Sequence, residues 1–407
     1  MNAPIPSPPP RPHPIPRRAF LRGTLAASAA AAALPSLFAR AVWAGGDGER
    51  VLVLVQLDGG NDGLNTVVPY ADDLYHRARP GIGIAAAQAV KLDGQVGLHP
   101  NLDRLRPAWE GGGIAILQGI GYPGPNRSHF TSTDIWNTGS VTPPARWNGW
   151  VGRTLDCCAQ GDIPGLQLDG GPLSLALVGE RVVVPSISDA ARFQVRGGDR
   201  AKELLRRLAE RPREGATLDH VRRSAAQSYS TAERIERALA GGSGADAYPQ
   251  SDLARRLWQI ARMVEAKTPA RVYAVRLGGF DTHSRQRAAH DQLMRTLGDA
   301  LGAFHADLRG AGLLDRVLVL TYSEFGRRVG ENRSLGTDHG AAAPMLALGG
   351  GVKGGVHGAH PSLSDLDDGD LKFHTDFRQV YATVLERWLG VAAAPVLGGA
   401  YAPVAFL

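Results

Sequence analysis

Three short runs of the chain, Val51 to Leu57 (VLVLVQL), Arg271 to Leu277 (RVYAVRL) and Arg316 to Tyr322 (RVLVLTY), are apolar at nearly every position rather than at alternate ones. A strand with one wet face alternates, whereas a strand covered on both faces does not, so these runs predict interior parallel strands. Ile114 to Gln118 and Pro344 to Leu348 are candidates for two more. Helical patterns lie between them over Asn101 to Glu110, Ser128 to Thr138, Thr217 to Leu239, Ser251 to Ala266, Arg285 to Arg309 and Asp376 to Leu389. Strands alternating with helices predict an α/β fold, a doubly wound and mostly parallel sheet with helices on both faces. Leu166 to Val184, where Gly and Pro break short extended runs, is expected to form a small hairpin or a substrate-side insertion. Gly241 to Gln250 reads as a surface connection. No fixed-period repeat is present, so residues 45–407 are expected to be one domain with a small insertion.

Residues 1–44 have a different pattern. The first sixteen contain eight prolines and should be solvated, polyproline-like chain. Arg17-Arg18-Ala19-Phe20-Leu21-Arg22, the alanine-rich run Thr24 to Phe38, and Val42-Trp43-Ala44 before Gly45 follow in the basic, apolar, small-residue order of a signal peptide. The twin arginine followed by Phe and Leu resembles a Tat signal, which predicts the Tat export machinery as a partner and a periplasmic or secreted protein. The apolar run is short and rich in alanine, so cleavage is expected rather than a stable membrane anchor. Export of an already folded chain is one way to deliver a metal loaded beforehand.

Charge then changes meaning. The formal net charge is +6, yet residues 1–44 hold five arginines and no acidic residue, which leaves 40 basic against 39 acidic side chains in the remainder. A near-neutral body gives no reason to expect nucleic acid or an anionic membrane as partner. Cys157 and Cys158 are adjacent, about 3.8 Å apart at Cα, too close for ordinary disulfide geometry. They exclude a disulfide framework and a structural zinc knuckle. The chain also lacks C-x-x-C-H, an iron–sulfur cysteine set and G-x-G-x-x-G after the first strand, so no haem, flavin or nucleotide is expected.

In open α/β sheets ligands bind beyond the carboxyl ends of the strands. The first of the three strands is followed by Asp58-Gly-Gly-Asn-Asp, the second by Gly-Gly-Phe-Asp281-Thr-His283, and the third by Ser-Glu324-Phe-Gly-Arg327-Arg328 and then Asp338-His339-Gly340. Carboxylates and imidazoles gathered at one edge suit Zn²⁺ or a similar divalent ion. Ser128, in Asn126-Arg127-Ser128-His129, sits where a helix is predicted to begin; it is either a plain N-cap or a nucleophile beside the unpaired N–H groups. Glu324, Arg327, Arg328, His129 and His99 have structural roles available to them and stay outside the catalytic set.

The segments VLVLVQLDGGNDGLNTVVPY, LHPNLDRL, GIGYPGPNRSHFTSTDIWNTG, GGFDTH, SEFGRR and GTDHG resemble, in that order, the exported bacterial proteins grouped as domain of unknown function 1501. That family is similar to the alkaline phosphatase and sulfatase superfamily. The resemblance implies an alkaline-phosphatase-like fold with one or two metal ions, Asp58 as bridging ligand, Asp281 with His283 and Asp338 with His339 as further ligands, and Ser128 as nucleophile. His360 or His357 would complete the site, with His374 the poorer candidate. Arg127 would clamp the non-bridging oxygens of a small anionic ester. The implied activity is hydrolysis of phosphate or sulfate esters; the alternative is a non-enzymatic exported binding or assembly protein with a partial metal site. Ser128 lacks the following x-Pro-x-Arg of formylglycine sulfatases, and Asp281-x-His283 is tighter than the superfamily's usual spacing.

Overall fold

A computed structural model of the protein describes residues 50–142, 148–158, 164–188, 232–240 and 242–407, together with residues 200, 203, 204 and 207. The signal peptide expected over residues 1–44 and most of the helix expected over Thr217 to Leu239 lie outside the described residues; 232–240 are helical.

Among the described residues nine strands form the main sheet. In chain order they are β1 (Val51–Asp58), β2 (Ile114–Gly121), β3 (Gly165–Leu168), β4 (Ser186–Ile187), β5 (Val272–Gly278), β6 (Val317–Tyr322), β7 (Ala343–Leu348), β8 (Gly355–His357) and β9 (Thr375–Asp376). Across the sheet the order is β8-β2-β7-β6-β1-β5-β3-β4, with β9 also paired to β2. Every pairing is parallel except those of β7, which runs antiparallel to both β6 and β2. The sheet is thus the mostly parallel α/β arrangement that the apolar runs predict.

The continuous apolar character of β1 follows from its central place. Val53, Val55 and Leu57 point into one core layer, with Leu297, Leu301 and Phe304 of the long helix Gln286–Gly310. Leu52 and Leu54 point the other way, among Trp136, Trp150, Phe377 and Tyr381. Side chains alternate across a strand, so both registers must be apolar when both faces are covered. Each such buried side chain contributes roughly 1.5–3 kcal/mol.

Helix α1 (His129–Thr138) starts at Ser128 and ends at Gly139, whose φ of +68° supplies the left-handed cap. Helices α2 (Trp150–Cys158), α3 (Asp252–Glu265), α4 (Gln286–Gly310) and α5 (Phe377–Thr383) follow. Asp376 and Gln379 close a capping box on α5. The stretch expected as one helix over Asn101 to Glu110 divides into a 3₁₀ turn, Pro100–Leu105, and a short α-helix, Arg106–Glu110. Pro107 cannot donate a backbone hydrogen bond at that junction. Leu166 to Val184 does not form the expected hairpin: β3 adds to the sheet parallel to β5, and β4 parallel to β3. Cys157 is a free thiol. Among the described residues no helix is long and apolar enough to cross a membrane.

Candidate metal centre and active site

The loops after β1 and β5 meet at their backbones, side chains of the loop after β6 close over them, and two glycines permit it. Gly59 has φ +117° and Gly60 φ +74°; a Cβ on Gly59 would stand 2.6 Å from the Asp281 nitrogen, and one on Gly60 2.3 Å from the Phe325 ring. Neither the conformation nor the space tolerates a side chain. Arg327 fastens the junction. Its side chain is fully buried, Nε donates to Gly60 O at 2.7 Å, Nη1 to Thr337 O at 2.9 Å, and Nη2 to Phe280 O at 3.0 Å and to Asp281 Oδ1 at 2.8 Å. Gly59 O accepts from Nη2 as well.

Around Asp281 three imidazoles converge. Its Oδ1 lies 2.9 Å from His283 Nε2, 3.2 Å from His339 Nε2 and 3.4 Å from His129 Nε2, while His283 Nε2 and His339 Nε2 are 2.9 Å apart. Partner chemistry fixes two tautomers. His339 Nδ1 is 2.8 Å from the Arg127 carbonyl, which can only accept, so Nδ1 carries the hydrogen and neutral His339 presents a lone pair at Nε2. His129 Nδ1 faces Glu324 Oε1 at 2.8 Å, which leaves the lone pair at its Nε2, a buried atom with no hydrogen-bond partner among the described residues. The same Glu324 oxygen accepts the Gly59 N–H at 2.9 Å.

Two imidazole lone pairs and a carboxylate oxygen gathered this closely repel unless a proton or a cation lies among them, and of the three Arg327 donates only to the carboxylate. Several imidazolium charges side by side also repel, with ring centroids 4.5 Å apart for His129 and His339 and 4.7 Å for His283 and His339. One divalent cation satisfies every donor at once. The ligand atoms of His129, Asp281 and His339 all lie within 4.8 Å of one another, and each imidazole is held through its other nitrogen by an oxygen, the arrangement found behind metal-binding histidines. Burial opposes charge on Asp281, yet the hydrogen bond and the charge of Arg327 hold its carboxyl well below the usual range. Asp58, at the end of β1, is pushed up by burial and then by the Glu324 charge.

Of the residues expected from sequence, Asp281, His283 and His339 come together, and Asp58 lines the adjoining cleft. Asp338 stands behind His283: its Oδ1 is 3.5 Å from His283 Nδ1 and accepts from Asn332 at 3.2 Å. His360 does not join the group, because its Nδ1 faces Gln118 at 3.5 Å; His357 meets the Lys353 carbonyl at 2.7 Å. His129 stands with Asp281 and His339 instead. Arg127 reaches the site through its carbonyl, while its guanidinium is engaged by Asp370 at 2.8 Å from Nε and by Asp368 at 3.6 Å, facing away from the clamp role. Ser128 is exposed, its N–H donates to Asn126 Oδ1 at 2.8 Å, and its side chain makes no cap hydrogen bond. His129, Glu324 and Arg327 are the members that sequence reasoning left out. Their signal was position: one adjoins Ser128, and two directly follow a buried strand.

A buried polar layer supports these loops. Asp62 pairs with Arg79 at 2.6 Å, both side chains essentially inaccessible, and also accepts from Gln286. Gln286 Oε1 accepts from Thr337 at 2.6 Å, and the Thr337 carbonyl in turn receives Arg327. His290, beside Asn61, is fully buried, and desolvation pushes it down to about 4. Its folded pKa lies below the unfolded value, so its neutral form stabilises the fold fully above about pH 6.5, and that stability is lost as pH falls toward 4. The loss amounts to roughly 3 kcal/mol. The urea midpoint is expected to drop between pH 7 and pH 4.5, and to drop less in His290→Gln; equal drops in the two proteins would exclude His290 as a source.

The sequence model of the family described as "Protein of unknown function (DUF1501)" matches residues 121–396. No curated protein matches the chain. Among solved structures, a sulfatase from Pseudoalteromonas sp. is 14% identical over 91% of this chain and 74% of its own, with a TM-score of 0.40. A protein in the alkaline phosphatase superfamily from Vibrio parahaemolyticus is 10% identical over 86% of this chain and 69% of its own, with a TM-score of 0.41. A phosphonate monoester hydrolase from Silicibacter pomeroyi is 13% identical over 87% and 75%, with a TM-score of 0.36.

Proposed function

The chain belongs to the DUF1501 family, and from its site we propose that it is a metal-dependent hydrolase of phosphate or sulfate esters, exported by the Tat route and acting in the periplasm or outside the cell. The observation that carries this reading is the convergence of His129 Nε2, His339 Nε2 and Asp281 Oδ1, with both imidazole tautomers set for donation inward. His129, Asp281 and His339 would hold the ion, Zn²⁺ or a similar divalent metal, and His283 and Asp58 are beside them for a second. Such an ion supplies charge neutralisation on the ester oxygens and lowers the pKa of a bound hydroxyl or water.

The chain's own groups do the rest. Glu324 and the Arg127 carbonyl keep the two imidazoles oriented. Ser128, at the start of α1 with its hydroxyl free of capping, supplies the attacking oxygen, and the unpaired N–H groups of that helix end favour the anion. Its Oγ bonds to phosphorus or sulfur as the ester oxygen departs with a proton; water then cleaves the serine ester.

The test is elemental analysis of the exported protein paired with a screen of aryl phosphates and aryl sulfates. Bound metal together with turnover supports the reading; a metal-free protein active on neither class of ester overturns it. Glu324→Gln, which weakens the anchor on His129, is expected to lower metal affinity about 10- to 100-fold, read by competition with a chelator; unchanged affinity would remove Glu324 from its orienting role.

One observation favours a second reading. Arg127 is held by Asp370 and Asp368, and Arg327 is fully engaged in the core, so neither guanidinium is free to clamp an anionic ester. A non-enzymatic binding or assembly protein with a metal site has no use for such a clamp. Stoichiometric metal without turnover would support that role.

A further inference from the structure

Beside the His and Asp cluster lies a cleft of about 480 Å³, bounded by Asp58, Gly59 and Asp281 on the strand side and by the start of α1 on the other. That volume suits a small molecule. Helical spacing decides what α1 offers: positions i, i+3 and i+4 share a face, and Phe130, Thr133 and Asp134 all line the cleft. Phe130 is 86% exposed, so its ring takes no part in the core beneath, which Trp136 fills from the opposite face. Asp134 is half-buried; desolvation pushes its carboxyl up, and no charged partner among the described residues offsets that. No Lys or Arg among the described residues lines the cleft. Arg276, whose charge reaches Asp58, is paired with Asp169 at 3.6 Å.

The wall facing the cluster therefore presents an aromatic ring, a hydroxyl and a carboxylate without a counter-charge. An anionic leaving group would meet Asp134 as a like charge, and a neutral one would leave its charge without a counter-charge. A cationic alcohol gains from both the carboxylate and the ring face. Resting on the ester-hydrolase reading, we propose that Phe130 and Asp134 select small esters whose alcohol carries a positive charge, such as a short quaternary-ammonium alcohol. For a phosphate ester, water and the ester give the alcohol and inorganic phosphate: the bond from phosphorus to the ester oxygen breaks, a bond to water oxygen replaces it, and a proton from water ends on the alcohol.

The experiment compares choline and glycerol esters of whichever acid the aryl screen identifies, using the exported full chain. The expected kcat/KM ratio favours the choline ester about tenfold in the wild type. In Asp134→Asn the ratio should fall to near one, mainly through KM, in Asp134→Glu it should be retained, and in Phe130→Leu it should be intermediate. A ratio near one in the wild type, or an unchanged ratio in Asp134→Asn, overturns the assignment. Phosphatidylcholine vesicles present the same cation at a membrane; faster choline release from them than from the soluble ester would overturn the small-ester assignment. Choline alone, titrated calorimetrically, should bind the wild type and not Asp134→Asn, and absence of binding overturns the selectivity whatever the turnover. If aryl esters are cleaved without choline selectivity, only this inference falls; if no ester is cleaved, the hydrolase reading falls with it.

Discussion

Ser128→Ala is expected to lower ester turnover by at least about 10³-fold while metal content and stability stay at the wild-type level. An N-cap serine normally contributes through a side-chain hydrogen bond, and its loss costs about 0.5–2 kcal/mol. Here Ser128 makes no such bond and is exposed, so the substitution removes a hydroxyl from the end of α1 and little else. The metal-facing atoms belong to His129, His339 and Asp281, none of which uses the Ser128 side chain as a support. Turnover and metal content are therefore separable by one atom. Retained turnover in this variant, at wild-type metal content, would mean that water attacks the ester directly and that Ser128 is only the first residue of a helix.

Arg327→Met has the opposite signature: it is expected to destabilise the fold by about 3–5 kcal/mol. The methionine fills part of the volume and donates nothing, so the buried carbonyls of Gly59, Gly60 and Thr337 lose their donor, while Phe280 O keeps the Thr282 N–H at 2.8 Å. A buried acceptor left without a partner costs roughly 1–3 kcal/mol, which makes several such losses the larger part of the effect. Asp281, about half exposed, can recover some solvation and contributes less. A urea midpoint within error of the wild type would show that these loops are held by packing and the glycine turns rather than by the guanidinium. Arg327→Lys is not a conservative control, because one ammonium cannot reach carbonyls fanned around a planar fork.

The strands were legible because burial on both faces writes itself into composition. Val51 to Leu57, Arg271 to Leu277 and Arg316 to Tyr322 each fall on a strand at the centre of the sheet, and the edge where Asp58, Asp281 and Glu324 emerge follows from strand direction alone. The short strand Gly165–Leu168 was not legible as part of the main sheet, because four residues bounded by Gly and Pro look the same in a hairpin as at a sheet edge. The site was half legible. Asp281, His283 and His339 stand in motifs next to strands, whereas His129 belongs to the same centre only because α1 begins beside the loop after β6. His360, in a similar Gly-rich motif, meets Gln118 instead. Burial of Glu324 and Arg327 could not be read locally, since a charged pair after a strand is ordinarily solvated; what buries them is contact with Gly59, Gly60 and Phe280, residues far away along the chain.

The reversed direction of β7 bears on how the centre assembles. A parallel successor to β6 would have required the chain to cross to the far edge before returning, but an antiparallel one lets residues 323–342 leave and re-enter the sheet on the same side. Glu324, Arg327, Asp338 and His339 thus share a single closed loop, whose closure entropy is modest because it grows only logarithmically with contour length. Asp58 and Asp281 come from strands paired across a much longer separation, and such contacts form late in folding. The loop can take shape first with His339 in it, and Asp281 joins it only when β1 lies between β5 and β6. Capture of an ion at full affinity would then be a check that the sheet has closed, a useful gate for the proposed export of the chain in folded form.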